Sequence, residues 1–200
     1  MSSRNDVRRR SVTVCRGTVA LFAAIALVGS TFCNNAIAVD GYKDFKFGLS
    51  PEQVKKKCSV QLAELPNAAW ADNFGKDCRV LAADNFKMMD AEREVNFVFT
   101  KKGLAIVVFV MQAHEFGAVA KTLGEKYPGA ELHPTPADFQ KLAKRFDAAQ
   151  PNVTLKITYD NDTVIVVATT DEAGEASFVL MYKAPNAEQQ DLSGKGRDDL

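Results

Sequence analysis

The chain has 200 residues, 25 of them basic and 25 acidic, and is 46% apolar. Those values argue against wholesale disorder, collagen-like repeats and a polytopic membrane protein. Formal neutrality argues against a general nucleic-acid binder, which needs a net basic face to displace counterions. The length fits one domain.

The first 38 residues stand apart. Arg4, Arg8, Arg9, Arg10 and Arg16 form a basic start, residues 18–29 (TVALFAAIALVG) are a short apolar run, and Ala36-Ile37-Ala38 gives an A-x-A cleavage signal before Val39. These are the three parts of a secretory signal peptide, and the apolar run is shorter than the roughly 20 residues of a membrane span. The alternative is an uncleaved N-terminal anchor. The expected compartment is periplasmic or extracellular, reached by the general secretory route. Cleavage leaves Ala36 and Ala38 behind and starts the mature chain at Val39. It removes five arginines and Asp6, so the remainder is about four units acidic. It also removes Cys15 and Cys33 and leaves Cys58 and Cys78. Two cysteines in an oxidising compartment are most simply read as a disulfide, worth roughly 3 kcal/mol in the chain-entropy model. A zinc pair lacks further ligands, and a redox dithiol lacks the short C-x-x-C spacing.

In chain order, Phe45-Lys46-Phe47 alternates like a short strand and Gly48 breaks it. Ser50-Pro51-Glu52-Gln53-Val54 opens a helix of about two turns. Ser50 is the cap, Pro51 sits at the first helical position, Gln53 completes a capping box, and Leu49 and Val54 form a hydrophobic staple. Residues 59–92 show turns but no clear period, with Trp70, Phe74, Phe86, Met88 and Met89 scattered through them. They read as a long excursion with a short strand near Arg79–Ala82. Val95, Phe97 and Phe99 alternate as a half-buried strand, and residues 104–111 (LAIVVFVM) read as a central one. A helix follows with Phe116, Val119, Leu123 and Tyr127 on one face, stopped by Pro128-Gly129. Another starts at Thr135-Pro136 with Phe139, Leu142, Ala143 and Phe146 on one face. A three-stranded meander closes the domain: 153–159, 163–169 and 177–183, joined by the acidic turns Asp160-Asn161-Asp162 and Asp171–Glu175. From Pro185 the composition turns polar, and a disordered tail is expected. Ser50-Pro51-x-x-Val54-x-Lys56 and Thr135-Pro136-x-x-Phe139-x-Lys141 echo one another. Recurring cap chemistry accounts for the echo more simply than a duplicated helix-plus-meander unit.

The opening Phe45-x-Phe47-Gly48-Leu49-Ser50-Pro51-x-x-Val54, followed by a cysteine, resembles that of small exported proteobacterial proteins of uncharacterised function. So do the strand Val95–Phe99 and the helix bounded by Glu115-Phe116 and Lys126-Tyr127-Pro128. The same opening is similar to those of small outer-membrane assembly lipoproteins and β-lactamase-inhibitor-like domains. The resemblance runs over residues 42–183 in order of elements and implies a fold, since the motif encodes a strand-turn-helix cap. Where the lipoproteins carry a lipid-bearing cysteine, this chain has Phe32-Cys33 in a different context.

No G-x-S-x-G, H-E-x-x-H, C-x-x-C or G-x-x-x-x-G-K pattern is present. His114 sits at a helix start and His133 in the stiff connector His133-Pro134-Thr135-Pro136, and neither has a partner nearby in sequence. The acidic turns lack a full calcium-loop pattern and read as hairpin turns. Lys55-Lys56-Lys57 complements a helix C-terminus. No catalytic residue, metal ligand or cofactor is therefore assigned. The expected fold is a single α+β domain over 39–184, an antiparallel sheet with about three helices packed mainly on one face. Signal peptide (1–38) and polar tail (185–200) flank it. The expected role is a non-enzymatic envelope protein acting through protein contacts, as an inhibitor-like or assembly module. Its partner would be an unknown envelope protein or a second copy, with no nucleic acid and no membrane contact after cleavage. A carrier of a small apolar ligand between sheet and helices is the alternative, and a hydrolase without a signature is the least favoured. If Val164, Val166, Phe178 and Leu180 face the helices, then Ile165, Val167, Val179 and Met181 face away, where polar residues are normal. These four are the candidate interaction face, unless the segment around Trp70, Phe74 and Phe86 folds across them.

Overall fold

The computed structural model describes residues 39–66, 78–127, 129–185 and 187, all within the unit spanning 31–200. The expected signal segment, Trp70, Phe74 and nearly all of the expected tail lie outside the described residues. A two-stranded hairpin comes first, β1 (Gly41–Tyr42) against β2 (Phe45–Lys46). α1 follows over Pro51–Lys57. Its start follows the local chemistry: the Gln53 N–H donates to Ser50 Oγ at 3.3 Å, and the Ser50 N–H donates to Gln53 Oε1 at 2.7 Å. Two otherwise orphaned donors are satisfied reciprocally. Basic Lys55, Lys56 and Lys57 fill its last turn, where they favour the helix dipole.

The body is one eight-stranded antiparallel sheet: β3 (Ala63–Glu64), β4 (Arg79–Met88), β5 (Ala91–Thr100), β6 (Gly103–Met111), β7 (Glu131–His133), β8 (Thr154–Tyr159), β9 (Val164–Thr170) and β10 (Ala176–Lys183). A 3-10 turn at Ala113–Glu115 leads into α2 (Phe116–Lys126), and α3 (Pro136–Asp147) lies between β7 and β8. The spatial order is β3-β4-β5-β6-β10-β9-β8-β7. The α+β architecture expected from the sequence is present, and the strand order adds an internal symmetry to it. Each half is a capped helix followed by a three-stranded meander, and the last strands of the two meanders, β6 and β10, pair at the centre. The two helix openings that echo one another each precede one of these meanders, and they share their cap chemistry. Thr135 Oγ1 accepts from the Asp138 N–H at 3.2 Å just as Ser50 accepts from Gln53.

Within the excursion expected over 59–92, Arg79–Met88 form a ten-residue strand, β4, longer than the short strand expected near Arg79–Ala82. Its pairing with β5 shifts register between Ala83 and Phe86, so a bulge at Asp84-Asn85 interrupts the alternation that would have revealed it. Met89 and Asp90, at φ 51° and 60°, form the tight turn into β5. Gly103 does the same work between β5 and β6. Its φ is +97°, and a Cβ there would collide with the Gly48 carbonyl.

One face of the sheet carries the helices. Tyr42 and Phe45 of the N-terminal hairpin meet Phe109 and Phe97 at ring separations of 4.6 and 4.9 Å. Phe86 joins them, 5.7 Å from Phe109 and 5.9 Å from Phe45. It thus belongs to the helix side and covers nothing on the other face. Across the seam Phe116 meets Phe178 at 5.8 Å and Phe146 at 6.1 Å. Tyr159 Oη donates to the Ala120 carbonyl of α2 at 3.0 Å. Burial pushes that hydroxyl up to about 12. This layer is the core, and dispersion and area burial over so many rings dominate its stability.

The structure does not show the expected disulfide between Cys58 and Cys78. Arg79 points to the helix side and reaches Glu52 of α1 at 3.8 Å, whereas Cys78, one residue earlier, packs against Val80 and Val98 on the opposite face. Cys58, at the end of α1, is half-buried.

Candidate functional site

The cross-strand registers lay out, row by row, the face that carries no helix among the described residues. Val167 of β9 lies opposite Val179 of β10, and Val179 opposite Val110 of β6. Lys156 of β8 extends this row at one end. The next row contains Thr158, Ile165, Met181, Val108, Asn96 and Ala82, each paired with its neighbour. A further row contains Lys183, Ile106, Val98 and Val80. The four residues singled out from the sequence are therefore brought together as two cross-strand pairs, Val167 with Val179 and Ile165 with Met181.

Their exposure differs. Ile165 is only 5% exposed and belongs to the interior, while Val167, Val179 and Met181 are half-buried, as is Val110. Ala187, assigned to the polar tail by composition, is 7% exposed and packs with Val80, Val98, Ala105, Ile106 and Val108. The chain after β10 thus crosses the helix-free face at the end where β4 and β6 begin. The part left half-open is a strip formed by Val110, Val167, Val179 and Met181. It is bordered by Lys156 and by a hydroxyl pair, Thr169 and Ser177, 3.1 Å apart.

Two polar features of the interior had no sequence signal of their own. Asn96 is buried on this face; its amide donates to Glu94 Oε1 at 2.8 Å, and its Oδ1 has no hydrogen-bond partner among the described residues. On the helix side Arg93 is buried and makes a two-pronged pair with Glu115, Nη2 to Oε1 at 2.6 Å and Nη1 to Oε2 at 2.7 Å. Burial pushes the Glu115 carboxyl up. The Arg93 guanidinium, the Gln112 N–H and His114 outweigh it and hold the group below the ordinary glutamate range. Glu115, at the start of α2, thereby tethers that helix to β5.

The two histidines lie apart. His114 is exposed in the 3-10 turn. His133 Nε2 lies 3.1 Å from Thr158 Oγ1 across the β7–β8 pair. A hydroxyl bonded to a histidine is the first requirement of an activated nucleophile. Here Thr158 is buried, and no hydrogen bond from a third group orients the imidazole among the described residues. Thr158 also borders an open depression of about 180 Å3 with Gly129, Glu131, Tyr159 and the turn Asp160–Asp162. That is below the several hundred Å3 of an ordinary small-molecule site. No cluster of three or more metal-ligating side chains exists among the described residues. No helix there is long and apolar enough to cross a membrane.

These features define an α+β protein with one broad antiparallel sheet, helices on one face and a partly open apolar strip on the other. Residues 42–197 match a family model described as "Uncharacterised protein", and the chain belongs to that family. No curated protein and no solved structure matches the chain.

Proposed function

We propose that this is an exported envelope protein that acts through protein–protein contacts and without chemical turnover. The observation that carries the reading is the half-exposed strip Val110, Val167, Val179 and Met181 on the face without helices. An antiparallel sheet with one solvated face normally alternates to polar residues there, as β8 does with Thr154 and Lys156. Apolar side chains kept at such positions mark an interaction surface. The basic, apolar and A-x-A parts of residues 1–38 support export. The resemblance of the Phe45–Val54 opening to small exported proteobacterial proteins supports the same setting.

The test compares the exported protein with Val167→Lys and Met181→Lys. Each is captured with envelope extract and run in sedimentation velocity, with circular dichroism as the folding control. Loss of association with an unchanged spectrum and melting temperature is expected. Unfolding by both substitutions would assign the strip to ordinary core and remove the reading's support.

A further inference from the structure

The hydrogen bond that ties down the start of the described chain is made at the position where export would cut it. The Val39 N–H donates to Asp160 Oδ2 at 2.9 Å, a partly buried contact between residues 121 apart in sequence. The acceptor is held in place from its other side. Asp160 Oδ2 also accepts from Thr163 Oγ1 at 2.7 Å, and Asp160, Asn161 and Asp162 all adopt left-handed φ values of 50°, 53° and 63°. Such a run of left-handed residues is costly, so this turn is a set shape stabilised by its surroundings.

In the uncleaved chain Val39 N is a neutral amide. Hydrolysis of the Ala38–Val39 bond by a signal peptidase adds one water. The hydroxyl goes to the Ala38 carbonyl, which leaves as a carboxylate, and the Val39 nitrogen becomes a primary amine that is protonated at neutral pH. We propose that Asp160 is a built-in receptor for the N-terminus that cleavage creates. The Val39 α-ammonium keeps this position, and an amide–carboxylate hydrogen bond becomes an ion pair that fastens the N-terminal hairpin to the β8–β9 turn only in the processed protein. Charge-assisted hydrogen bonds are about twice as strong as neutral ones, so processing itself would tighten the fold. The inference rests on the export reading above and adds to it the site that receives the product.

The acceptor lies among other acidic groups. Glu131 of β7 and Asp162 border the same depression as Asp160 and Tyr159. On the N-terminal segment, Asp40 is already engaged by Lys46 at 2.6 Å. From β10, the Lys183 N–H donates to the Thr163 carbonyl behind the turn. The sign of the pH effect follows. An ammonium that gains a carboxylate partner on folding has its pKa raised above the unfolded value of about 7.7–8.0. Its contribution is fully present below that range and is lost as the pH rises through the folded value.

The full chain is expressed with its own leader, and the exported product is analysed by intact mass and N-terminal sequencing. Val39 is expected as the first residue. Thermal melts of this product and of its Asp160→Asn variant are then recorded from pH 6 to 10. The wild type should melt about 2–4 °C higher below pH 8 and lose that margin toward pH 10. Selective α-acetylation of the wild-type product should remove the pH dependence of the margin. The pH–rate profile of that acetylation reads the amine directly in the wild-type protein, whether or not Asp160→Asn folds. A first residue other than Val39, a margin independent of pH, or an amine that titrates at the unfolded value would overturn the inference while leaving export intact. A chain exported without cleavage would overturn the inference and the signal-peptide reading together.

Discussion

Glu115→Gln removes the charge that compensates a buried guanidinium, and its cost can be worked from the contacts. The Arg93 side chain is 4% exposed and that of Glu115 24%. Both terminal guanidinium nitrogens are bonded to the carboxylate, while Nε has no hydrogen-bond partner among the described residues. The substituted amide would keep one oxygen for Arg93 or for the Gln112 N–H, now at 3.0 Å, but not the charge. Breaking one side of a buried pair costs about 3–5 kcal/mol, because the remaining charge stays in a poorly solvated site. The residual exposure of Glu115 places this case at the lower end, about 3 kcal/mol, or roughly 6–12 °C in melting temperature for a domain of this size. Urea denaturation followed by circular dichroism measures it, with an unchanged m-value as the check on two-state behaviour. The double change Arg93→Met with Glu115→Leu should recover most of the loss, since a well-packed apolar replacement of a buried pair is nearly neutral. The acid limb gives an independent check. A carboxyl held below its ordinary range contributes stability above the unfolded value of about 4.3 and loses it as pH falls through the folded value, so Glu115→Gln should flatten that part of the profile. A loss under about 1 kcal/mol for Glu115→Gln, with the acid limb unchanged, would refute the assignment of this pair as the tether between β5 and α2.

Other expectations follow from single contacts. Tyr159→Phe should cost about 1 kcal/mol by removing the bond to the Ala120 carbonyl. Because burial raises that hydroxyl to about 12, the native state holds its proton longer than the unfolded chain does. Wild-type stability should therefore fall between about pH 10 and 12, and the variant's should fall less, as read by base titration of the melting temperature. Ser50→Ala should cost about 1 kcal/mol through loss of the α1 cap, whereas Ser50→Asp should be close to neutral in the same denaturation assay. Gly103→Ala should be among the most damaging substitutions to a small residue, since both its backbone angle and the Gly48 carbonyl oppose a side chain; soluble yield and thermal melt report it. His133→Ala should leave any hydrolytic background of the purified protein unchanged across esterase, phosphatase, peptidase and glycosidase substrates. A rate abolished by this change would make the His133–Thr158 pair a reactive one.

The elements with clean periodicity were legible in the sequence. The capping box at Ser50, the alternation of β5 and β8–β10, the continuous apolar run of β6 and the one-sided faces of α2 and α3 all reflect local chemistry that the fold leaves unaltered. β4 was hidden because two exposed residues at its bulge, Asp84 and Asn85, put Phe86 out of phase with Leu81 and Ala83. The Arg93–Glu115 pair was hidden for a different reason: nothing local tells a charged residue on a strand that its partner waits 22 positions later in a helix turn. The candidate strip was half visible. Alternation identified which side chains share a face, but not how far each is covered, and Ile165 is buried where Val167, Val179 and Met181 stay half-open.

The pairing of β6 with β10 carries a kinetic consequence. Within each meander every strand pairs with its neighbour in sequence, so those contacts are local and close cheaply. The seam, from Phe178 with Met111 to Lys183 with Ile106, joins residues some 70 positions apart and is the one place where the halves share a hydrogen-bonded ladder among the described residues. Two hairpin-rich units should form early, and the rate-limiting step should be their zipping along this line, where loop-closure entropy must be met before any pairing rewards it. Amide exchange in the middle of β6 and β10 should then report only complete unfolding, while the outer strands β3 and β7 open on their own.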